Sequence, residues 1–327
     1  MKRVCITGGA GFIGSHLADA LSARRVEVTI VDDFRTGRRE FLADALARDG
    51  VRLIEGDVLD VSVLEAAMAG CDWVFHLQAN ADVRFGLDHP RRDLEQNTIA
   101  TANVLQAMRA QGVGRIAFSS TGSVYGEPAI FPTPEDAPFP VQTSLYGASK
   151  LAGEGLIAAY AAGYGFVGLA FRFVSILGER YTHGHLFDLY RALKRDPSRL
   201  HVLGDGRQEK SYLYVEDCVE AILLAAEHHH EQPGAHVYNL GTAETTTVAD
   251  SVRALTGHLS LRPGVEYGGG RRGWTGDSPL IHLDTTRIGK LGWEPQLTIR
   301  EAIVCTLDWL RDSDYAWRDQ VAERAVG

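Results

Sequence analysis

The chain has 327 residues, 45% of them hydrophobic and 23% charged, which supports a large core in one wide α/β domain or in two domains. A formal net charge of −9 argues against nucleic acid as a main partner, because phosphate backbones recruit basic surfaces. No apolar run approaches the roughly 20 residues that span a bilayer, no leader is expected before the opening strand pattern, and four scattered cysteines suit reduced thiols in the cytoplasm.

In chain order, β-branched apolar runs at 4–6, 26–31, 51–54, 73–75 and 116–118 read as buried parallel strands. The stretches 13–24, 61–69 and 93–111 between them carry apolar residues at helical spacing. This alternation predicts an α/β, Rossmann-type, doubly wound parallel sheet with helices on both faces. A helix over 145–164 then leads into a strand over 165–173. Beyond 173 the elements shorten around "LGERYTHGH" (177–185) and "YGGGRRGWTGDSP" (267–279), and "HVYNLG" (236–241) reads as one more strand returning to the sheet. His228, His229 and His230 close a polar helix pattern; adjacent helical residues point in different directions, so they read as solvated surface rather than a metal site.

"TGGAGFIG" (7–14) follows the first strand and opens the first helix, placing Gly8, Gly11 and Gly14 as GxxGxxG. Glycine there permits a tight turn, close approach of backbone to a pyrophosphate, and tight helix–sheet packing, while the helix N-terminus offers free N–H groups. Asp32 ends the second strand, where a carboxylate bonds the adenosine ribose hydroxyls and repels a 2′-phosphate, favouring NAD over NADP. Arg35, Arg38 and Arg39 follow closely and keep the phosphorylated cofactor open. Asp57 in "GDVLD" is placed to bond the adenine amine.

"YGASK" sets Tyr146 and Lys150 four residues apart on one helix face. A free phenol has a pKa of about 10, so acting as a base near pH 7 needs roughly 4 kcal/mol from a nearby ammonium and a nicotinamide cation. Alone, such a pair is a surface helix contact; here it follows a dinucleotide loop and "SSTGSVYG" (119–126), a hydroxyl-rich shelf at a strand end.

These three motifs, with "HLQANADVR", "GDGRQEKSYLYVEDC" and "YNLGT", resemble the extended short-chain dehydrogenase/reductases, specifically the NAD-dependent sugar-nucleotide epimerase/dehydratase family, through nearly the whole chain. The resemblance implies a catalytic triad of Thr121, Tyr146 and Lys150. It implies NAD contacts from Gly8, Gly11, Phe12, Ile13, Gly14, Asp32, Asp57, Val58, Leu77 and Ala79, with Tyr146 and Lys150. It assigns 1–174, with later segments near 211–242, to a NAD-binding domain and 175–327 mostly to a smaller substrate-binding domain. Substrate contacts fall on Arg84, Ser123, Ser175, Lys210 and Arg272, with Arg271 competing for the last role, and the partner is a nucleotide-diphosphate sugar. A homodimer through 93–111 and 145–164 is implied as well.

Departures from the family pattern sharpen the expectation. Dehydratases carry an Asp–Glu pair after the catalytic Thr, and decarboxylases a Glu at the second position; Gly122 and Ser123 stand here, and neither moves a proton near neutral pH. What remains is reversible oxidation at C4 of the sugar, a 4-epimerisation. Ser175 replaces an Asn, Lys210 an Arg, and Gln78 a small residue near the nicotinamide. Glu179, Arg180, His183 and His185 are placed to meet unusual sugar groups, though for the two histidines an ordinary loop position is the better reading. Epimerisation at another carbon, dehydration or decarboxylation with a relocated acid, and a non-enzymatic NAD sensor are the alternatives.

Overall fold

Apolar residues that alternate along each strand build both faces of one sheet. Val4, Ile6, Trp73 and Phe75 join one buried cluster with Leu17, Leu21 and Ile222, while Cys5, Val74, Ile116 and Phe118 join a second with Leu64, Leu105 and Ile157. The computed structural model describes residues 1–80, 85–138, 141–274 and 276–313. Its central sheet contains Arg3–Thr7, Glu27–Asp32, Val51–Glu55, Trp73–His76, Arg115–Thr121, Val167–Phe173 and Gly234–Leu240, every neighbouring pair parallel. Numbered along the chain, these strands lie in the order 3-2-1-4-5-6-7. The order reverses between the first and fourth strands, where a crevice opens at their C-terminal ends. The sheet is therefore the doubly wound Rossmann type, and 236–241 does return to it.

Helices Phe12–Ala23 and Val215–His228 pack on one face, and Val61–Met68, Ala100–Ala110 and Leu145–Tyr164 on the other. The stretch 93–111 is not one uniform helix: Pro90–Asp93 passes into a π-helical segment, Leu94–Ile99, before Ala100–Ala110. The widened turn buries the amide side chains of both Gln96 and Asn97, which helical spacing alone does not foretell.

Of the histidine run, His228 is exposed as expected, but the other two differ from the expected surface role. His229 is buried, with Nε2 2.6 Å from the Tyr238 hydroxyl, Nδ1 2.9 Å from Gln232 Oε1, and its ring stacked 3.8 Å from that of His236. His230 Nδ1 accepts from the Trp73 indole at 3.0 Å. The chain doubles back into Gly234–Leu240 directly after the helix, so His236 and Tyr238 cover His229. Among the described residues no group of three or more His, Cys, Asp or Glu is arranged to hold a metal ion.

The later part of the chain supplies short pairings above the C-terminal ends of the strands. Ser175–Leu177 runs parallel to Tyr212–Tyr214, Arg199–Val202 to Gly264–Tyr267, and Glu209–Lys210 lies between Thr246–Thr247 and Leu280–Ile281. The larger hydrophobic cluster is continuous from Val4 in the sheet to Leu307 near the end of the described chain.

Candidate active site

The glycine loop has the shape its sequence predicts. Gly8 adopts φ +72°, and a Cβ there would sit 2.6 Å from the Gln78 backbone nitrogen; a Cβ on Gly14 would overlap the Gly8 carbonyl oxygen. Gly11 is the N-cap of the first helix and has no side chain to cap it, so the amides of Phe12 and Ile13 remain available to a ligand. The fourth strand meets this loop from the other side, with the Leu77 amide donating to the Thr7 carbonyl at 3.0 Å. Ala79 is half-buried there. Gln78 Nε2 donates to Gln96 Oε1 at 2.6 Å, leaving Gln78 Oε1 buried without a partner among the described residues. A cradle that only glycine fills, open helix amides and an orphaned polar atom beside them fit a dinucleotide.

At the far end of the crevice, the carboxylate of Asp32 accepts from the amides of Ala10 and Phe34, each at 2.9 Å. Burial pushes its carboxyl above the ordinary value and these two donors oppose that. Two of the neighbouring arginines are paired: Arg35 lies 3.0 Å from Asp33 and 3.4 Å from Asp57, and Arg39 lies 2.7 Å from Glu55. Arg38 donates to the Gly37 carbonyl at 3.0 Å. Phe34, Gly37, Arg38, Arg39 and Glu55 line an open cleft here. Asp57 receives the Leu59 amide at 2.9 Å and Val58 is buried in the core. Arg84 lies outside the described residues. Replacing Asp32 by Asn removes the charge and leaves one side-chain oxygen where two now accept the Ala10 and Phe34 amides. NAD binding should weaken by about tenfold, and the preference over NADP should shrink, as titration with both nucleotides would measure.

The helix carrying "YGASK" runs from Leu145 to Tyr164. Ser144 caps its N-terminus, accepting the Gly147 amide at 3.0 Å, and Gly165 ends it in the left-handed conformation. Lys150 is 1% exposed, with Nζ 2.7 Å from the Ser119 carbonyl and 4.6 Å from the Phe118 ring centre. Burial pulls its ammonium down to about 7, against the attraction of Asp93 and Glu154. Burial and then Asp93 push the Tyr146 phenol up, while a hydrogen bond with Thr121 opposes them. Thr121 Oγ1 also accepts the Ser123 amide at 3.1 Å, starting the short turn Gly122–Tyr125. The structure therefore brings Thr121, Tyr146 and Lys150 together from a strand end and one helix face.

Several residues around this group were not singled out from sequence. Asp93 is buried and accepts from Asn80 Nδ2 at 2.8 Å; Asn97 Nδ2 donates to Ser149 Oγ at 2.8 Å. His76, held by Thr7 at 2.7 Å and Thr101 at 3.0 Å, is driven by burial down to about 3 and stays neutral. Spacing hinted at only one of these features: Glu154 stands four residues beyond Lys150, on the same face.

Toward the later part of the chain, Lys210 and Arg272 converge on one residue. Lys210 Nζ lies 2.7 Å from the Asp277 carboxylate, Arg272 donates to the Asp277 carbonyl at 2.7 Å, and its other nitrogen reaches Glu127. Ser175 is exposed and pairs in register with Tyr212, two residues beyond Lys210. Burial and then Lys210 pull the His185 imidazole down to about 4, against Asp277, and its buried Nε2 has no hydrogen-bond partner among the described residues. Glu179 and Arg180 depart from expectation and turn to the first helix. The Glu179 carbonyl meets His16 at 3.1 Å, its carboxylate accepts from Tyr214 at 2.8 Å, and Arg180 pairs with Asp19 at 2.7 Å. Tyr181 beside them packs edge-on against Phe12 at 5.7 Å, which anchors this loop over the helix. His183 is exposed.

A Rossmann-type sheet whose switch point carries a glycine cradle, with a hydroxyl shelf and a Tyr–Lys helix beside it, defines a dinucleotide-dependent enzyme class. The chain belongs to the NAD dependent epimerase/dehydratase family, whose model matches residues 4–241. It is 33% identical over 325 residues to the UDP-glucose 4-epimerase of Corynebacterium glutamicum, covering 92% of this chain and 93% of that one. A solved structure of a UDP-galactose 4-epimerase superposes with a TM-score of 0.85 at 38% identity, covering 95% of this chain and 99% of the other. UDP-glucuronic acid decarboxylase 2 of Arabidopsis thaliana is 31% identical over 312 residues, covering 92% of this chain and 66% of that protein.

Proposed function

We propose that the protein is a NAD-dependent nucleotide-sugar 4-epimerase that takes a UDP-hexose as substrate. The observation that carries this reading is the shelf itself: Thr121 meets Tyr146, while Gly122 and Ser123 follow where elimination would need an acid and a base. The cofactor would be held by Gly8, Gly11, Phe12, Ile13 and Gly14 at its pyrophosphate and by Asp32 at its ribose. NAD supplies a hydride acceptor at C4 and a positively charged ring near the phenol.

The side chains do the rest. Tyr146, once ionised, accepts the proton of the 4-hydroxyl and returns it after the sugar has turned over. Thr121 hydrogen-bonds the same oxygen and keeps it aimed at the phenol. Lys150 is fixed by the Ser119 carbonyl and keeps donors for the nicotinamide ribose, and its charge favours the phenolate. Lys210 and Arg272, gathered on Asp277, would take the diphosphate, with Ser175 and Ser123 closer to the sugar. In functional terms, 1–174 with 211–242 holds the cofactor and 175–327 mostly holds the substrate.

A homodimer in the cytoplasm belongs to the same proposal. The helices over 94–110 and 145–164 leave Leu94, Ile99, Leu145 and Tyr164 exposed, which supports a partner against them. The buried free thiols of Cys5, Cys71 and Cys218 suit a reducing compartment.

The test is a C4-deuterated UDP-hexose followed by NMR. An epimerase returns the label to C4 of the product, with none lost to solvent. Deuterium taken up from solvent beside the ketone would point to a neighbouring carbon. Migration to C6, or a dehydrated or decarboxylated product, would overturn the reading.

A further inference from the structure

Glu154 and Arg172 form a buried bidentate ion pair, with side-chain exposures of 8% and 11%. Arg172 Nε lies 3.0 Å from one carboxylate oxygen of Glu154 and Nη2 lies 2.7 Å from the other; the first oxygen also takes the Ser120 hydroxyl. Ser120, Arg172 and Asn239 stand in register across the fifth, sixth and seventh strands and form a polar row. Arg172 Nη1 continues the row, donating to the Tyr125 hydroxyl at 2.7 Å and the Glu135 carbonyl at 3.1 Å. Tyr125 donates to Asn239 Oδ1 at 2.8 Å, and Asn239 Nδ2 donates to the carbonyls of Thr133 at 2.9 Å and Asp284 at 3.0 Å.

The row borders both halves of the reacting group, and Glu154 also attracts the Lys150 ammonium. Ser120 precedes Thr121, and Tyr125 closes the turn that Thr121 starts. Glu154 lies one helical turn beyond Lys150 and two beyond Tyr146. A buried ion pair is a poor source of net stability, because desolvation offsets its attraction; what it supplies is geometry. We infer that Glu154 and Arg172 are positioning residues that set the separation between Thr121 on its strand and the Tyr146–Lys150 face of the helix.

This inference rests on the epimerase reading, and its test separates the two. In the full-length protein, Glu154→Gln should lower kcat by about tenfold to hundredfold, with KM for the UDP-sugar and bound NAD content nearly unchanged. Tyr125→Phe, which loosens the far end of the row, should lower kcat by about threefold to tenfold. Where Glu154→Gln melts too early to assay because Arg172 is left buried and unpaired, the uncharged double variant Glu154→Gln/Arg172→Met restores folding and should keep the kcat defect. Single-turnover reduction of bound nicotinamide by a nucleotide sugar, read by near-ultraviolet absorbance, gives the same ratio without requiring an epimer. Failure of the wild type to interconvert C4 epimers overturns the functional reading alone. Wild-type single-turnover rates in the folded variants, or a loss confined to KM or NAD content, overturn the positioning role.

Discussion

Tyr146→Phe should reduce kcat by about a thousandfold or more while NAD content and UDP-sugar affinity stay close to wild type, as calorimetry and nucleotide release would measure. The substitution removes one oxygen and keeps the ring, and the backbone carbonyl that accepts from Ser149 is untouched. Thr121 retains its bond to the Ser123 amide, and its turn should hold. What disappears is the group beside that hydroxyl that would accept the sugar proton. Burial and Asp93 both keep the phenol protonated, so its ionisation depends on positive charge brought close to it. Near-normal turnover in Tyr146→Phe would mean that another base does this work and that the proposed chemistry is wrong.

The second large effect is expected at the cofactor cradle. A Cβ on Gly14 would overlap the Gly8 carbonyl and lie 2.8 Å from Gly9 Cα, both backbone atoms that cannot swing aside. Gly14→Ala should therefore open the loop, spread the helix amides and weaken NAD binding by at least about a hundredfold, on the order of 3 kcal/mol. Nucleotide released by denaturing the purified variant measures it directly. Gly257→Ala is the control: that glycine lies in helix Val248–His258, and its Cβ would meet nothing within 4 Å. The control should retain NAD and match or slightly exceed wild-type stability. Full NAD occupancy in Gly14→Ala would show that the cradle does not grip the pyrophosphate.

Most of the sheet was legible because its strands are short β-branched runs and its helices are amphipathic, both local signals. The helix expected over 145–164 spans Leu145–Tyr164, where Ser144 and Gly165 punctuate it. The glycine cradle and the Tyr146–Lys150 pair were legible for the same reason, since spacing fixes them within one turn or one helix. The features that escaped depend on residues distant in sequence. His229 is buried only because Tyr238 and His236 return beside it. Arg180 leaves the substrate for Asp19, and Lys210 finds Asp277, across separations that no local pattern encodes. The π-helical turn is a subtler case: apolar spacing read 93–111 as one helix, whereas 94–99 form a π-helical turn in which Gln96 and Asn97 are buried against Gln78 and Ser149.

The seventh strand has a consequence for how the chain is made. Val167–Phe173 has its outer edge covered by Gly234–Leu240 in register from Val167 to Phe173, and residues 174–233 intervene. Parallel neighbours so far apart cannot form until synthesis has passed the second of them. At about 5–20 residues per second, the sixth strand waits roughly 3–13 seconds with that edge bare. During this interval the nascent chain presents the apolar side chains of Leu169 and Phe171 beside unpaired backbone, a surface suited to chaperone capture or to mispairing with another nascent chain. Completion of the sheet is thus an event of late translation, and conditions that slow elongation across 174–233 should reduce the yield of folded enzyme.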